Sequence, residues 1–159
     1  MTRVLVVYDS RTKNTEKMAF AVAEGAKKVK GAEVVVLKVD KAKLSDLTQA
    51  DAIILGSPTY YGNMTGKMKS FIDRTNGIHG KLKGKVGGAF TSSGDTACGA
   101  ETALLSMLEA MLIHGMIIQG NNVNKHYGPT AVESPNKLEQ QSCREMGERV
   151  ASLARTLQS

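Results

Sequence analysis

Hydrophobic positions along this chain change period repeatedly, from unbroken apolar runs to three-and-four spacing. Val4 to Tyr8, Val34 to Leu37, Ala52 to Leu55, Val86 to Phe90 and Met116 to Ile118 are short and almost free of polar alternation, as strands covered on both faces must be. Between and after them the spacing turns helical. Met18, Val22, Ala26 and Val29 share one face, as do Met68, Phe71 and Ile72, and then Leu104, Met107, Leu108, Met111 and Leu112. Leu44 to Gln49 leaves room for a short helical piece only, and Met146, Val150, Leu153, Ala154 and Leu157 predict a final helix after Pro135. Strands alternating with helices predict an α/β fold with a doubly wound parallel sheet, right-handed crossovers and helices on both faces. Gly120 to Pro135 has no period and reads as one long irregular stretch, which in a compact fold is usually functional or mobile.

The chain has 159 residues, 42% of them hydrophobic, enough for one substantial core and too few for two, so a single domain over 1–159 is expected. Met1, Thr2 and Arg3 run straight into an apolar strand, which argues against a secretory leader. The apolar runs stop well short of the roughly 18 residues of a membrane span, so no stable membrane insertion is expected. Cys98 and Cys143 lie too far apart for a metal-ligand or redox spacing; no metal site is expected, and a reducing compartment, the cytoplasm, fits best. The net charge of +6 raises nucleic acid as a partner, but the 21 basic residues are scattered and the aromatics amount to four tyrosines and three phenylalanines. Without a reading motif, nucleic-acid binding is not expected; Lys81, Lys83 and Lys85 read as a solvated loop face.

Ligands of an open parallel sheet bind beyond the carboxyl ends of the strands, where the winding reverses. Three loops therefore carry the chemistry. The first runs Ser10, Arg11, Thr12, Lys13, Asn14, Thr15 into a helix beginning near Thr15. Its short hydroxyl and amide side chains, with the free N–H groups of a helix N-terminus, suit a phosphate; the plainer reading is that Asn14 or Thr15 caps the helix. The second, Pro58, Thr59, Tyr60, Tyr61, Gly62, Asn63, sets two aromatics beside a glycine, ahead of a helix at Gly66, and suits a flat ring. Its alternative is a surface turn with half-buried tyrosines. The third holds Ser92, Ser93, Gly94 and Gly99, small residues that let backbone approach a ligand. His114, just before Gly115 at a helix end, reads as a capping residue facing the last carbonyls ahead of a catalytic one. Asp95 and Glu101 read as solvated carboxylates.

Val6 to Ala19, containing Ser10, Arg11, Thr12, Lys13, Asn14 and Thr15, resembles the phosphate loop of flavodoxins, with Lys13 where that family usually has glycine. Gly56 to Asp73 and Phe90 to Met116 resemble the NAD(P)H:quinone oxidoreductases of the tryptophan-repressor-binding-protein type. The resemblance implies a flavodoxin-like five-stranded sheet in the order 2-1-3-4-5 and a non-covalent FMN. It places the FMN phosphate at Ser10, Arg11, Thr12, Lys13, Asn14 and Thr15. It places ring contacts at Pro58, Thr59, Tyr60, Tyr61, Gly62 and Asn63, and further contacts at Ser92, Ser93, Gly94 and Gly99. In the quinone oxidoreductases, positions corresponding to Tyr61, His79 and His114 form the pocket above the flavin, with tryptophan expected at the second. The longer insertions that help those enzymes form tetramers are missing here.

The resemblance leaves two functions in view: an FMN-binding electron-transfer protein, and an NAD(P)H-dependent quinone oxidoreductase using the same FMN. The partners expected are redox proteins, acidic ones given Arg11, Lys13, Lys17 and Lys67 near the flavin edge, or NAD(P)H and a quinone. A monomer or a homodimer is expected. Other ligand-binding relatives of the fold are excluded by residues: the third strand ends on Gly56 and Ser57 rather than a phosphoacceptor aspartate, the first loop has no nucleophilic cysteine, and no Gly-x-Gly-x-x-Gly follows the first strand.

Overall fold

A computed structural model describes residues 1–158. The elements run β1 (Thr2–Tyr8), α1 (Asn14–Lys27), β2 (Ala32–Lys38), α2 (Leu44–Gln49), β3 (Ala52–Pro58), α3 (Gly66–Arg74), a 3-10 turn (Thr75–Ile78), β4 (Val86–Ser93), α4 (Ala100–Ile113), β5 (Ile117–Ile118), β6 (Thr130–Val132) and α5 (Lys137–Leu157). All strand pairings are parallel, in the order β2-β1-β3-β4-β5, with β6 also on β4. The expected fold is therefore present, with the winding reversed between β1 and β3.

The two sheet faces carry separate cores. Val4, Val6, Ile54 and Phe90 pack with Met18, Val22, Met146 and Val150 of α1 and α5. Leu5, Val7, Ile53 and Leu55 pack with Met68, Phe71, Leu104 and Met107 of α3 and α4. This alternation along strands that looked uniformly apolar is the signature of a sheet buried on both sides. The helices α1 and α5 approach closely enough to exclude side chains. A Cβ on Gly147 would lie 2.0 Å from the Val22 carbonyl oxygen, and one on Gly25 1.8 Å from that of Arg144.

The stretch expected to be irregular, Gly120 to Pro135, contains β6. The fifth position of the sheet is filled by two short segments: Ile117 and Ile118 pair with Val86 and Gly87, and Thr130 to Val132 pair with Thr91 to Ser93. A three-residue segment containing a single buried alanine offers no apolar run for a periodicity argument to find. Its consequence is functional, because β6 delivers Glu133 to the carboxyl edge of the sheet.

Candidate functional site

The loops after β1, β3 and β4 converge with the end of β6 on one cleft of about 250 Å³, walled by Arg11, Thr12, Asn14, Pro58, Thr59, Tyr60, Ser92, Ser93, Gly94 and Glu133. Nine of these are among the residues read from the sequence; Glu133 is the one missed. Its backbone N–H donates to the Ser93 carbonyl at 2.7 Å, a ladder bond that only the unforeseen strand could place.

The first loop enters α1 through Lys13, whose φ of 68° and ψ of 2° are left-handed. Glycine takes that conformation freely, whereas a residue with a Cβ is strained by roughly 1–2 kcal/mol. The loop keeps the turn despite its lysine. No side chain caps α1 in the N-cap position. The amide of Glu16 donates to Ser10 Oγ at 3.3 Å and that of Lys17 to the Lys13 carbonyl, which leaves the Asn14 and Thr15 amides as free donors at the positive end of the helix. The capping alternative for Asn14 and Thr15 is thereby corrected: Thr15 is buried, its hydroxyl 2.7 Å from Ser92 Oγ, and Asn14 faces the cleft. Among the described residues, the side chains of Arg11, Thr12 and Asn14 have no partner within the chain. Replacing Lys13 by glycine is expected to raise the stability of the ligand-free protein by about 1 kcal/mol, roughly 2–4 °C in Tm for a chain of this size. Differential scanning calorimetry checks it.

The second loop is a tight reversal. Tyr60 and Asn63 exchange backbone hydrogen bonds at 2.9 and 3.0 Å, and Tyr61 and Gly62 between them have φ of 50° and 74°, as a type I′ turn demands. Tyr61 stands fully exposed at the tip. The turn rests on the third loop through glycine: a Cβ on Gly99 would lie 2.5 Å from the Gly62 Cα. Behind the turn, Thr59 Oγ1 meets Thr91 Oγ1 at 2.8 Å and the Thr59 amide donates to the Ser92 carbonyl at 2.7 Å. Thr65 Oγ1 donates to Asp9 Oδ2 at 2.6 Å and accepts the Met68 amide, so one threonine starts α3 and ties the second loop to the first. Beneath the first loop the Tyr8 hydroxyl donates to Glu16 at 2.8 Å; burial, with the Glu16 carboxylate beside it, pushes the phenol up to about 12.

Ser10, Lys13, Thr15, Tyr61, Gly62, Asn63 and Gly99 thus shape the loops from behind or above, while the other predicted residues line the cleft. His114 does neither. It follows the last turn of α4, fourteen residues from that helix's start beside the cleft, a distance of about 20 Å at 1.5 Å per residue. There its Nε2 is 2.7 Å from Thr75 Oγ1 and its ring is 5.6 Å from that of His79, beside Ile53, Leu82 and Met116. Backbone closes α4, with the Gly115 amide donating to Leu112 and the Met116 amide to Met111, the Schellman arrangement. The His114 ring thus meets Thr75 rather than the last carbonyls of α4, and it does not line the cleft of its own chain. Burial, then the neighbouring His79, lowers the pKa of His114 from its ordinary value of 6.5. The unfolded chain then binds the proton more readily, so stability is lost as pH falls from about 6.5 through the lowered folded value. Thermal melts at pH 7 and 5 are expected to show a drop that is smaller in His114→Gln.

Free amides at an uncapped helix start, unpartnered hydroxyl and amide side chains, and a cleft at the winding reversal define a flavodoxin-type α/β protein. The sequence pattern of the NADPH-dependent FMN reductase family matches residues 2–129, and the chain belongs to that family. It is 40% identical to a flavodoxin of Aquifex aeolicus, with 95% of this chain and 86% of the relative covered. It is 37% identical to an NAD(P)H dehydrogenase (quinone) of Archaeoglobus fulgidus, with 99% of this chain and 100% of the relative covered. The crystal structure of a flavodoxin, WrbA-like protein from Agrobacterium tumefaciens superimposes with a TM-score of 0.86 at 29% identity, covering 98% of this chain and 99% of that one. Among the described residues no helix is long and apolar enough to cross a membrane.

Proposed function

We propose that the chain holds one FMN in this cleft and serves as an electron-transfer protein. The observation that carries the reading is the first loop: two free amides, the unpartnered Arg11, Thr12 and Asn14 side chains, and the buried Ser92 and Ser93 opposite them. A phosphate ester satisfies those donors without a buried ion pair. Pro58, Thr59 and Tyr60 then flank the ring and Ser92 to Gly94 supply small polar neighbours, with Gly62 and Gly99 holding their two loops in contact. Bound FMN supplies the redox chemistry; the chain fixes its position and leaves an edge open to a partner.

A second reading, an NAD(P)H-dependent quinone oxidoreductase, is favoured by the Archaeoglobus relative. That alignment runs over 191 positions for a chain of 159 residues, so the relative carries long insertions, whereas the alignment to the Aquifex flavodoxin needs only 159 positions to take in 95% of this chain. With His114 at the far edge, no group of this chain that was expected above the ring except Tyr61 stands near the cleft. Both points support the carrier. Adding NADH or NADPH to the FMN-loaded protein without oxygen decides between them. The carrier keeps its flavin absorbance until a separate reductase is supplied; prompt bleaching, with turnover on benzoquinone, overturns it in favour of the enzyme.

The partner we infer for the carrier is an acidic redox protein. Arg11 and Lys13 have no ion-pair partner among the described residues, while Lys67 is spent on Asp40 at 3.0 Å and Lys17 on Ser134 at 2.9 Å. Cytoplasmic residence, action as one domain over 1–159 and a monomeric or homodimeric state complete the reading; two free cysteines, Cys98 exposed and Cys143 buried, support the first.

A further inference from the structure

The break in the fifth strand makes a second cleft, away from the three loops. Because β5 pairs only with Val86 and Gly87 and β6 only from Thr91 onward, Gly88, Ala89 and Phe90 have no strand partner on that edge. The chain from Gln119 to Pro129 bridges the gap over the top, and Gly128 lies so close to the Ala89 carbonyl that a Cβ there would sit 2.1 Å from its oxygen. Under the bridge is a cavity of about 110 Å³ with Leu108 of α4 on one side, Met146 and Val150 of α5 on the other, and Ile118 at its foot. A cavity of about 190 Å³ adjoins it, sharing His126, Tyr127 and Gly128.

One wall is charged. Arg149 lines the smaller cavity, and its Nε is sealed from water with no acceptor in the chain. A buried donor of that kind is costly unless something accepts from it. Burial draws the guanidinium below the ordinary arginine range, while Glu145, one turn earlier on α5, opposes that. His126 is the second polar group: its Nδ1 is 2.6 Å from the Asn121 carbonyl, which can only accept, so Nδ1 carries the proton and Nε2 is left for another partner. Lys125 is engaged, its Nζ donating to Thr130 Oγ1 at 2.7 Å, and Glu101 faces the larger cavity only.

We propose that this strand break binds a small carboxylate with an apolar or aromatic body. The guanidinium asks for an anion, and a carboxylate matches its planar fork. Hydrocarbon walls disfavour inorganic phosphate, which would lose its hydration against Leu108, Met146 and Val150. A neutral ring would fill the space and leave the Arg149 Nε–H without an acceptor. Half-exposed Tyr127 closes the open side over the ligand's body. The site stands independently of the flavin reading, since it shares no residue with the first cleft.

Amide and arginine Nε NMR spectra of the purified protein, titrated with benzoate and cyclohexanecarboxylate, test it. Both are expected to produce saturable shifts at Ala89, Gly128 and the Arg149 Nε–H. Arg149→Gln is expected to weaken binding at least tenfold and Arg149→Lys less, with the dispersion of the amide spectrum showing that each variant is folded. Absence of saturable shifts overturns the proposal, as does undiminished binding by a folded Arg149→Gln protein. Equal affinity for benzyl alcohol or inorganic phosphate overturns the ligand class. Should Arg149→Gln fail to fold, undiminished binding by a folded Arg149→Lys protein overturns the proposal in its place.

Discussion

Replacing Thr12 and Asn14 together by alanine is expected to weaken FMN binding by two to four orders of magnitude while leaving the ligand-free protein as stable as before. Hydrogen bonds to a charged group contribute about 1.5–3 kcal/mol each, and 1.4 kcal/mol is a factor of ten, so two such bonds give that range if they add. The absence of any effect on the fold follows from the geometry. Among the described residues neither side chain has a partner inside the chain, whereas Thr15 and Ser92 bond each other in the core. Flavin fluorescence titration measures the first part and thermal denaturation the second. An unchanged dissociation constant would remove the phosphate from the loop after β1 and with it the functional reading.

The second large effect is structural. Gly147→Ala is expected to destabilise the protein by at least about 3 kcal/mol, near the upper end of overpacking costs, lowering Tm by roughly 6–12 °C. Local propensity points the other way, since alanine gains about 1 kcal/mol over glycine inside a helix. Close backbone approach overrides it: the new Cβ would lie 2.0 Å from the Val22 carbonyl oxygen and 3.0 Å from the Ala26 nitrogen. Both are backbone atoms and cannot rotate aside. Separating α1 from α5 would also open the core around Met146 and Val150, which covers one face of the sheet. Denaturant titration with an unchanged slope and a lowered midpoint is the expected record; a midpoint at or above the native one would mean that the helices part without cost.

Legibility in the sequence followed how local the signal was. Glycine after His114 announced the end of α4, and the Gly115 amide closes that helix, because a Schellman motif is written in six consecutive residues. The turn at Tyr60 to Asn63 was similarly visible as a ring-bearing loop, although the positive φ of Tyr61 was not, since tyrosine there contradicts propensity and is fixed by its neighbours. The direction of His114 was not legible. Its partner Thr75 lies 39 positions away, and only the packing of α4 beside α3 brings them together.

The order of elements as far as β5, the two-sided burial of the strands and the three loops facing one edge were determined by the sequence itself, because hydrophobic period and short polar clusters act within a few residues of each other. Tertiary structure alone decided the split of the fifth strand, the arrival of Glu133 at the cleft, the distance of His114 from it and the Arg149 Nε left without an acceptor at the strand break. Each of those depends on which distant backbone happens to lie alongside, and a pattern confined to neighbouring positions carries no information about that.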